Sequence, residues 1–212
     1  MKIIEQSHEV LEFPTLKMIE KAGRTCYKSE NKITQGSALK FVKMLRDRGH
    51  HAMIEFGDIV VRFVTNRGVT HELVRHRLCS FAQESTRYVR YDGGMEFIRP
   101  VWCDEKWTGV TWSGMTKRYK SYTNAEMTWA DACLRSEIAY INLITDGWRP
   151  EQAREILPNS LKTEIVVKAN IREWRHLLTL RTSKAAHPQI RVLMLPLLDE
   201  LKEKIPIVFD DI

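Results

Sequence analysis

The 212-residue chain has no apolar run approaching membrane-spanning length, and its opening, Met1-Lys2-Ile3-Ile4-Glu5-Gln6, lacks a signal-peptide core. A soluble, cytoplasmic protein is expected. No run of five or more basic residues occurs, which argues against a nucleic-acid-binding tail. Cysteine is sparse: Cys26, Cys79, Cys103 and Cys133 stand alone with no Cys-x-x-Cys pair, so they read as reduced thiols and not as zinc ligands or a disulfide frame. His50 and His51 are adjacent and cannot both face one ion from a regular helix or strand, so no metal is expected. No Gly-x-Gly-x-x-Gly follows a strand, which excludes dinucleotide binding of the Rossmann kind. No Gly-x-Ser-x-Gly elbow supports a hydrolase, and no internal repeat or low-complexity tract is visible.

What is present is enough apolar material for an ordinary core: 43% of residues are hydrophobic and six are tryptophan. That suits one folded domain and excludes intrinsic disorder. The formal charge of +6 points to an anionic partner. Much of the chemistry is packed into Arg75-His76-Arg77-Leu78-Cys79-Ser80-Phe81-Ala82-Gln83-Glu84-Ser85-Thr86-Arg87-Tyr88. The preceding Val69, Leu73, Val74 and Leu78 fall on one helical face, whereas Thr86 to Tyr91 alternates like a strand. The motif is therefore expected where a helix ends and the chain bends towards a strand. Guanidinium groups there offer planar paired donors for phosphates, acidic imides or carbonyls. The plainer reading is that basic residues offset the dipole at a helix C-terminus, though capping alone needs fewer of them.

The rest reads as α+β, a mixed central sheet with long packed helices. Lys2 to Ile4 reads as a short strand. Pro14 opens a helix with Leu16, Ile19 and Ala22 on one face and Gly23 as its stop. Ser37 opens a second, with Leu39, Phe41, Val42 and Leu45 inward and Gly49 at its end. Ile59 to Val64 is the best candidate for a central strand. Glu96 to Trp102 is a further strand, and residues 103 to 115 a surface loop or subunit contact. A long helix is expected from Lys117 to about Asp146, its stripe made by Tyr122, Ala125, Trp129, Ala132, Cys133, Ile138, Ile141 and Leu143, with Gly147 closing it. Pro150 opens a short helix that ends at Pro158. Asn170 follows a strand-like run and suits the N-cap of a helix carrying Arg172, His176 and Arg181. A last helix, Ile190 to about Lys204, carries Val192, Leu193, Leu195 and Leu197 across Pro196.

The order Arg75-His76-Arg77, seven residues, then Ser85, with Arg87-Tyr88 behind it, resembles the signature of the flavin-dependent thymidylate synthases. Further segments keep that family's register from about residue 24 to residue 204: Arg24 to Ser29, Ala153-Arg154-Glu155-Ile156-Leu157-Pro158, Asn170, and Leu180 to Gln189. The resemblance implies FAD-dependent methylation of deoxyuridylate to thymidylate, with methylenetetrahydrofolate as carbon donor and NADPH as reductant. It also implies a homotetramer with active sites at subunit interfaces.

By position, the resemblance assigns flavin contacts to His50, Arg75, His76, Arg77, Gln83, Asn170, Arg172 and His176. It assigns the nucleotide to Glu72, Arg75, Gln83, Glu84, Ser85, Arg87, Arg154 and Arg181, with Arg181 activating the base. Ser85 is then a phosphate donor, not a nucleophile, and Glu72 orients Arg75 along one helix face. No cysteine stands beside a proline as in the thymidylate synthases that use a thiol nucleophile. The chain departs from the family at Ile54 and Phe56, which flank Glu55, and at Ala82-Gln83. Two plainer readings stand beside these: Arg154 as a salt-bridge partner, and Arg24 to Ser29 as a loop with a free thiol. A small basic nucleic-acid-binding protein, with Arg75, Arg77, Arg87 and Arg90 on phosphates, is the alternative class.

Overall fold

The computed structural model describes residues 1–111 and 122–212. Its elements are β1 (Lys2–Ile4), β2 (Ser7–Glu12), α1 (Leu16–Thr25), α2 (Ser37–Asp47), α3 (His51–Ile54), β3 (Asp58–Asn66), α4 (Arg67–Leu73), β4 (Ser80–Gln83), β5 (Glu96–Ile98), α5 (Asn124–Thr145), α6 (Pro150–Ala153), β6 (Lys162–Asn170), α7 (Ile171–Arg181), α8 (Pro188–Lys204) and α9 (Pro206–Phe209). Among the described residues the fold is α+β: a four-stranded sheet of order β2-β3-β6-β4 and a separate pair, β1 with β5. β3 is central, as its Ile-Val run implies. The chain divides into two compact units that alternate along the sequence. One is Met1–Ser7, Phe63–Leu73 and Ala82–Ile165; the other is His8–Arg62, Val74–Phe81 and Val166–Ile212.

In the first unit β1 and β5 pair in parallel, Lys2 opposite Glu96 and Ile4 opposite Ile98. The strand expected over 96–102 is only three residues long; the chain turns just beyond Pro100, which has no N–H to donate to a ladder. Trp107, expected on a surface loop, is fully buried with Ile3, Cys103 and Ala130. The remainder of that loop reading, and the expected helix start at Lys117, fall partly on residues 112–121, outside the described residues. α5 begins at Asn124 because Thr123 and Glu126 form a reciprocal capping box. Its inward seam is Glu126, Ala130, Cys133, Glu137 and Tyr140. The expected stripe shares only Cys133 with that seam, and Ala125, Ala132 and Ile138 face solvent.

Two buried carboxylates explain the shift, since each is stabilised by donors that periodicity cannot see. Glu126 accepts from the backbone N–H of Thr123 (2.7 Å) and Asp104 (2.9 Å) and from the Trp107 indole (3.3 Å). The two backbone bonds are the main reason its pKa is held down to about 2. Glu137 accepts from the Met95 N–H at 2.6 Å.

The second unit is mostly helical. α1 does not stop at Gly23 but continues to Thr25, and the glycine serves packing. A Cβ there would sit 2.6 Å from the Phe41 ring on α2. α2 buries Phe41, Val42 and Leu45 as expected, while Leu39 is exposed. α7 follows β6 with no loop, because Asn170 ends the strand and caps the helix, its Oδ1 accepting from the Glu173 N–H at 2.9 Å. Trp174 is fully buried and its indole donates to the Ile59 carbonyl at 3.0 Å, fixing α7 on β3. α8 packs against α7 and buries Leu193, Leu197 and Leu201, whereas Val192 and Leu195 face outward.

Candidate active site

The fourteen-residue motif has a different local structure from the one expected. α4 ends at Leu73, and the strand lies at Ser80–Gln83, inside the motif. Residues 86–88 form a turn: the Ser85 carbonyl accepts from the N–H groups of Tyr88 (3.1 Å) and Val89 (3.0 Å), which bends the chain before any ladder can continue. Alternation over 86–91 therefore reflects a folded turn with Thr86 inside and Arg87 and Tyr88 outside. Val74 and Leu78 lie beyond the helix and are exposed. Arg75 lies in the turn beyond the last residue of α4, so Glu72 and Arg75 do not share one helix face as expected.

In the first unit, β4 and the following turn collect Gln83, Glu84, Ser85 and Arg87. Gln83 donates its amide to Thr70 Oγ1 (3.0 Å) and Thr163 Oγ1 (3.3 Å), which fixes its orientation. Glu84 accepts from the Tyr91 hydroxyl at 2.5 Å and from Lys162 Nζ at 3.3 Å. Lys162 was not singled out from sequence; it also reaches Glu164 at 2.7 Å, and these two carboxylates raise its pKa against the opposing effect of burial. Tyr91 is pushed upward, chiefly by burial and then by Glu84. Ser85 Oγ accepts from the Arg87 N–H at 3.3 Å. Arg87 is exposed, its guanidinium 5.4 Å from the Tyr88 ring centre. Arg154 is also exposed; its ion pair is with the adjacent Glu155 at 3.6 Å, not with a neighbouring helix. A contact so exposed and long fixes little.

In the second unit the family-register residues come together around α7. Arg181, at the end of α7, donates from Nε to Nε2 of His76 at 3.0 Å. His76 is buried, and Glu173 Oε1 lies 3.6 Å from its Nδ1. The His176 ring stands edge-on, 6.3 Å away. Burial first, then the Arg181 charge, then His176, lower the His76 pKa to about 4, so it is a neutral ring at neutral pH. Cys79, in the turn after His76, is pushed up to about 12 by burial and by Glu173, which makes it an unreactive thiol. Arg75, Arg77, Arg172 and His176 are exposed, and Arg172 pairs with Glu55 at 2.6 Å. Asn170 is partly buried and its Oδ1 is engaged by the helix cap.

Also in this unit is a cavity of about 450 Å³ lined by Gly23, Cys26, Tyr27, Ser29, Arg48 and His50 among others. It brings His50 together with the early segment that kept the family register. Ile54, one of the two departures beside Glu55, is buried, whereas Phe56 is exposed. Arg90 is bridged to Asp92 at 2.9 Å on the surface. No group of three metal-ligating side chains occurs among the described residues, and no helix of the described residues is long and apolar enough to cross a membrane.

Comparison with known proteins decides the family. The family model described as thymidylate synthase complementing protein matches residues 10–207. The chain belongs to the flavin-dependent thymidylate synthase family. A flavin-dependent thymidylate synthase of Corynebacterium diphtheriae is 34% identical over 199 residues, 92% of this chain and 77% of that protein. One from Geobacter sulfurreducens is 31% identical over 198 residues, 90% of this chain and 78% of that protein. In fold, the chain is similar to thymidylate synthase X of Helicobacter pylori, solved with FAD and dUMP (TM-score 0.71, 22% identity, 97% of this chain and 98% of that one). It is also similar to PolB of Streptomyces cacaoi, a UMP/dUMP methylase solved with 5-Br dUMP (TM-score 0.75, 21% identity, 99% and 96%). The protein is thus an enzyme of the flavin-dependent thymidylate synthase family.

Proposed function

We propose that this family member methylates deoxyuridylate to thymidylate, with 5,10-methylenetetrahydrofolate as carbon donor and FAD, reduced by NADPH, as the source of hydride. The reading includes a cytoplasmic homotetramer of single-domain subunits with active sites at subunit interfaces. The observation that carries it is the contact between Arg181 and neutral His76. Methylation at C5 of uracil needs electron density there, which rises when N3 loses its proton or O4 is polarised. A permanently charged guanidinium stabilises that anion without itself exchanging a proton, and its plane must be held for the donors to match the edge of a pyrimidine. His76 accepts from Arg181 Nε and fixes that plane.

The residues suit the cofactor. The cavity at His50 is within the volume range of small-molecule sites, and Arg48 and Lys32 on its wall add positive charge for a diphosphate. His50, Arg75, Arg77, Arg172 and His176 would hold FAD, which when bound supplies the reducing equivalent. Arg172 would have to exchange its exposed ion pair with Glu55 for a phosphate. On the first unit, Arg87 and Arg154 would bind the nucleotide phosphate with Ser85 donating a hydroxyl, and Gln83 and Glu84 would face the nucleoside.

The methylase PolB raises a second reading, in which the ribonucleotide UMP is also accepted. Three measurements test the proposal: the visible spectrum of the purified protein, the thermal midpoint with FAD, and dUMP-dependent product formation. FAD at a hundred times its Kd should stabilise the protein by about 2.7 kcal/mol. Yellow protein, a raised midpoint and thymidylate are expected. A colourless protein insensitive to FAD overturns the proposal, and equal turnover of UMP replaces its specificity with the second reading.

A further inference from the structure

His76 and Arg181 leave open what keeps the imidazole turned the right way, and the answer lies on the opposite edge of the ring. Arg181 Nε is only a donor, so the Nε2 that receives it at 3.0 Å must carry a lone pair. In a neutral ring the proton then sits on Nδ1. The group facing Nδ1 is Glu173 Oε1, at 3.6 Å and itself buried. That distance is an ion–dipole contact just short of a hydrogen bond. Its polarity favours an Nδ1–H and disfavours a lone pair there.

We propose that Glu173 is a positioning residue: by favouring the Nδ1–H tautomer of His76 it presents the Nε2 lone pair to Arg181 and so sets the plane of the guanidinium.

Three observations support it. First, the local fold fixes Glu173. It is the third residue of α7, its N–H held by Asn170 at 2.9 Å, and its neighbour Trp174 locks the helix to β3 through the Ile59 carbonyl. Second, among the described residues Arg181 and His176 act electrostatically on the ring, Glu173 faces its Nδ1, and Cys79 follows in the same turn. Glu173 alone among them is an acceptor for Nδ1–H, because Arg181 takes the other nitrogen, Cys79 remains a thiol and His176 meets the ring edge-on. Third, Glu173 stands in the first turn of α7, where the helix dipole favours a carboxylate's negative charge. The arrangement is carboxylate, imidazole and guanidinium in series, which transmits orientation with no proton moving. It resembles in logic the use of a carboxylate to fix a catalytic histidine's tautomer. The inference deepens the proposed function, since it names what holds the group assigned to activate the base.

The test is the tautomer of His76, read in the intact protein from long-range ¹H–¹⁵N correlations of its two ring nitrogens at pH 7.5. The wild type should show Nδ1 protonated and Nε2 not. Glu173→Ala should mix the tautomers and lower kcat for methylation about tenfold or more, with KM for dUMP changed far less. Glu173→Gln keeps an oxygen acceptor and should restore both the tautomer and most of the rate. A carboxylate that merely stabilised the fold would shift the melting point of Glu173→Ala and leave tautomer and kcat alone, which overturns the proposal. So does a wild-type ring protonated on Nε2, an observation that needs no variant to fold. Because the tautomer is read without substrate, its result is separable from the reaction: absence of thymidylate from wild-type enzyme would count against the proposed function only.

Discussion

The two units hold their arginines in opposite ways. In the second, Arg181 is partly buried and tied to a neutral histidine that is in turn faced by a buried carboxylate. In the first, Arg87 lies exposed over a tyrosine ring, and Arg154 is exposed with a long contact to the next residue. The difference is one of preorganisation. A donor that acts on charge developing in a transition state must be in place beforehand, because reorganisation at that moment raises the barrier. A donor that captures a phosphate can be ordered by the phosphate itself, through charge-assisted hydrogen bonds formed on binding. On the proposed function, this difference suits Arg181 to chemistry and Arg87 and Arg154 to binding.

The sharpest way to break that assignment is Arg181→Lys. Lysine keeps the charge and loses the planar fork together with the Nε donor to His76. Loss of one transition-state donor costs about 3 to 4 kcal/mol, roughly two to three decades in rate. Methylation at saturating nucleotide should fall by that factor, while FAD binding and flavin reduction by NADPH, measured separately, should persist. Near wild-type methylation would remove Arg181 from its role.

Arg87→Ala and Arg154→Ala should behave differently. Each removes a charge-assisted bond of about 1.5 to 3 kcal/mol. KM for dUMP should rise about tenfold or more, with kcat lowered much less. A larger effect on kcat than on KM in steady-state assays would erase the distinction between the units.

The smallest effect concerns pH. His76 titrates near 4 when folded, below its unfolded value, so the unfolded chain takes up a proton first as pH falls. Its contribution to stability is whole above about 6.5 and is lost as the pH drops from there towards 4. An imidazole titration followed by NMR should place the midpoint near 4. A midpoint near 6.5 would mean that the ring is charged as readily as in water, and the neutral acceptor for Arg181 would be gone at mildly acid pH.

Legibility followed the physics of each element. Asn170 could be read as a cap because a short polar residue between an apolar strand and an amphipathic helix has few other uses, and α7 then carried Arg172, His176 and Arg181 into place. β3 was legible from Ile59 to Val64. The α5 seam was not, because Glu126 and Glu137 occupy core positions through backbone donors that are distant in sequence. The strand Ser80–Gln83 was hidden inside a polar motif: its alternation is weak, and its place beside β6 is fixed by pairing, not by composition. β2, with two glutamates and a histidine in six residues, gave no strand signal for the same reason. Within the candidate site, spacing reached the residues that the family resemblance proposes as ligand contacts. It did not reach Glu173 or Lys162, which act on other side chains and are found only once the chain is folded.

The most direct measurement is a single turnover: enzyme with bound FAD, reduced beforehand and freed of NADPH, is mixed anaerobically with methylenetetrahydrofolate and dUMP while flavin absorbance and product are followed together. The expected result is flavin reoxidation that requires both substrates and yields thymidylate in proportion to the flavin oxidised. Reoxidation without dUMP, or with dUMP but without thymidylate, would contradict flavin-dependent methylation by this enzyme.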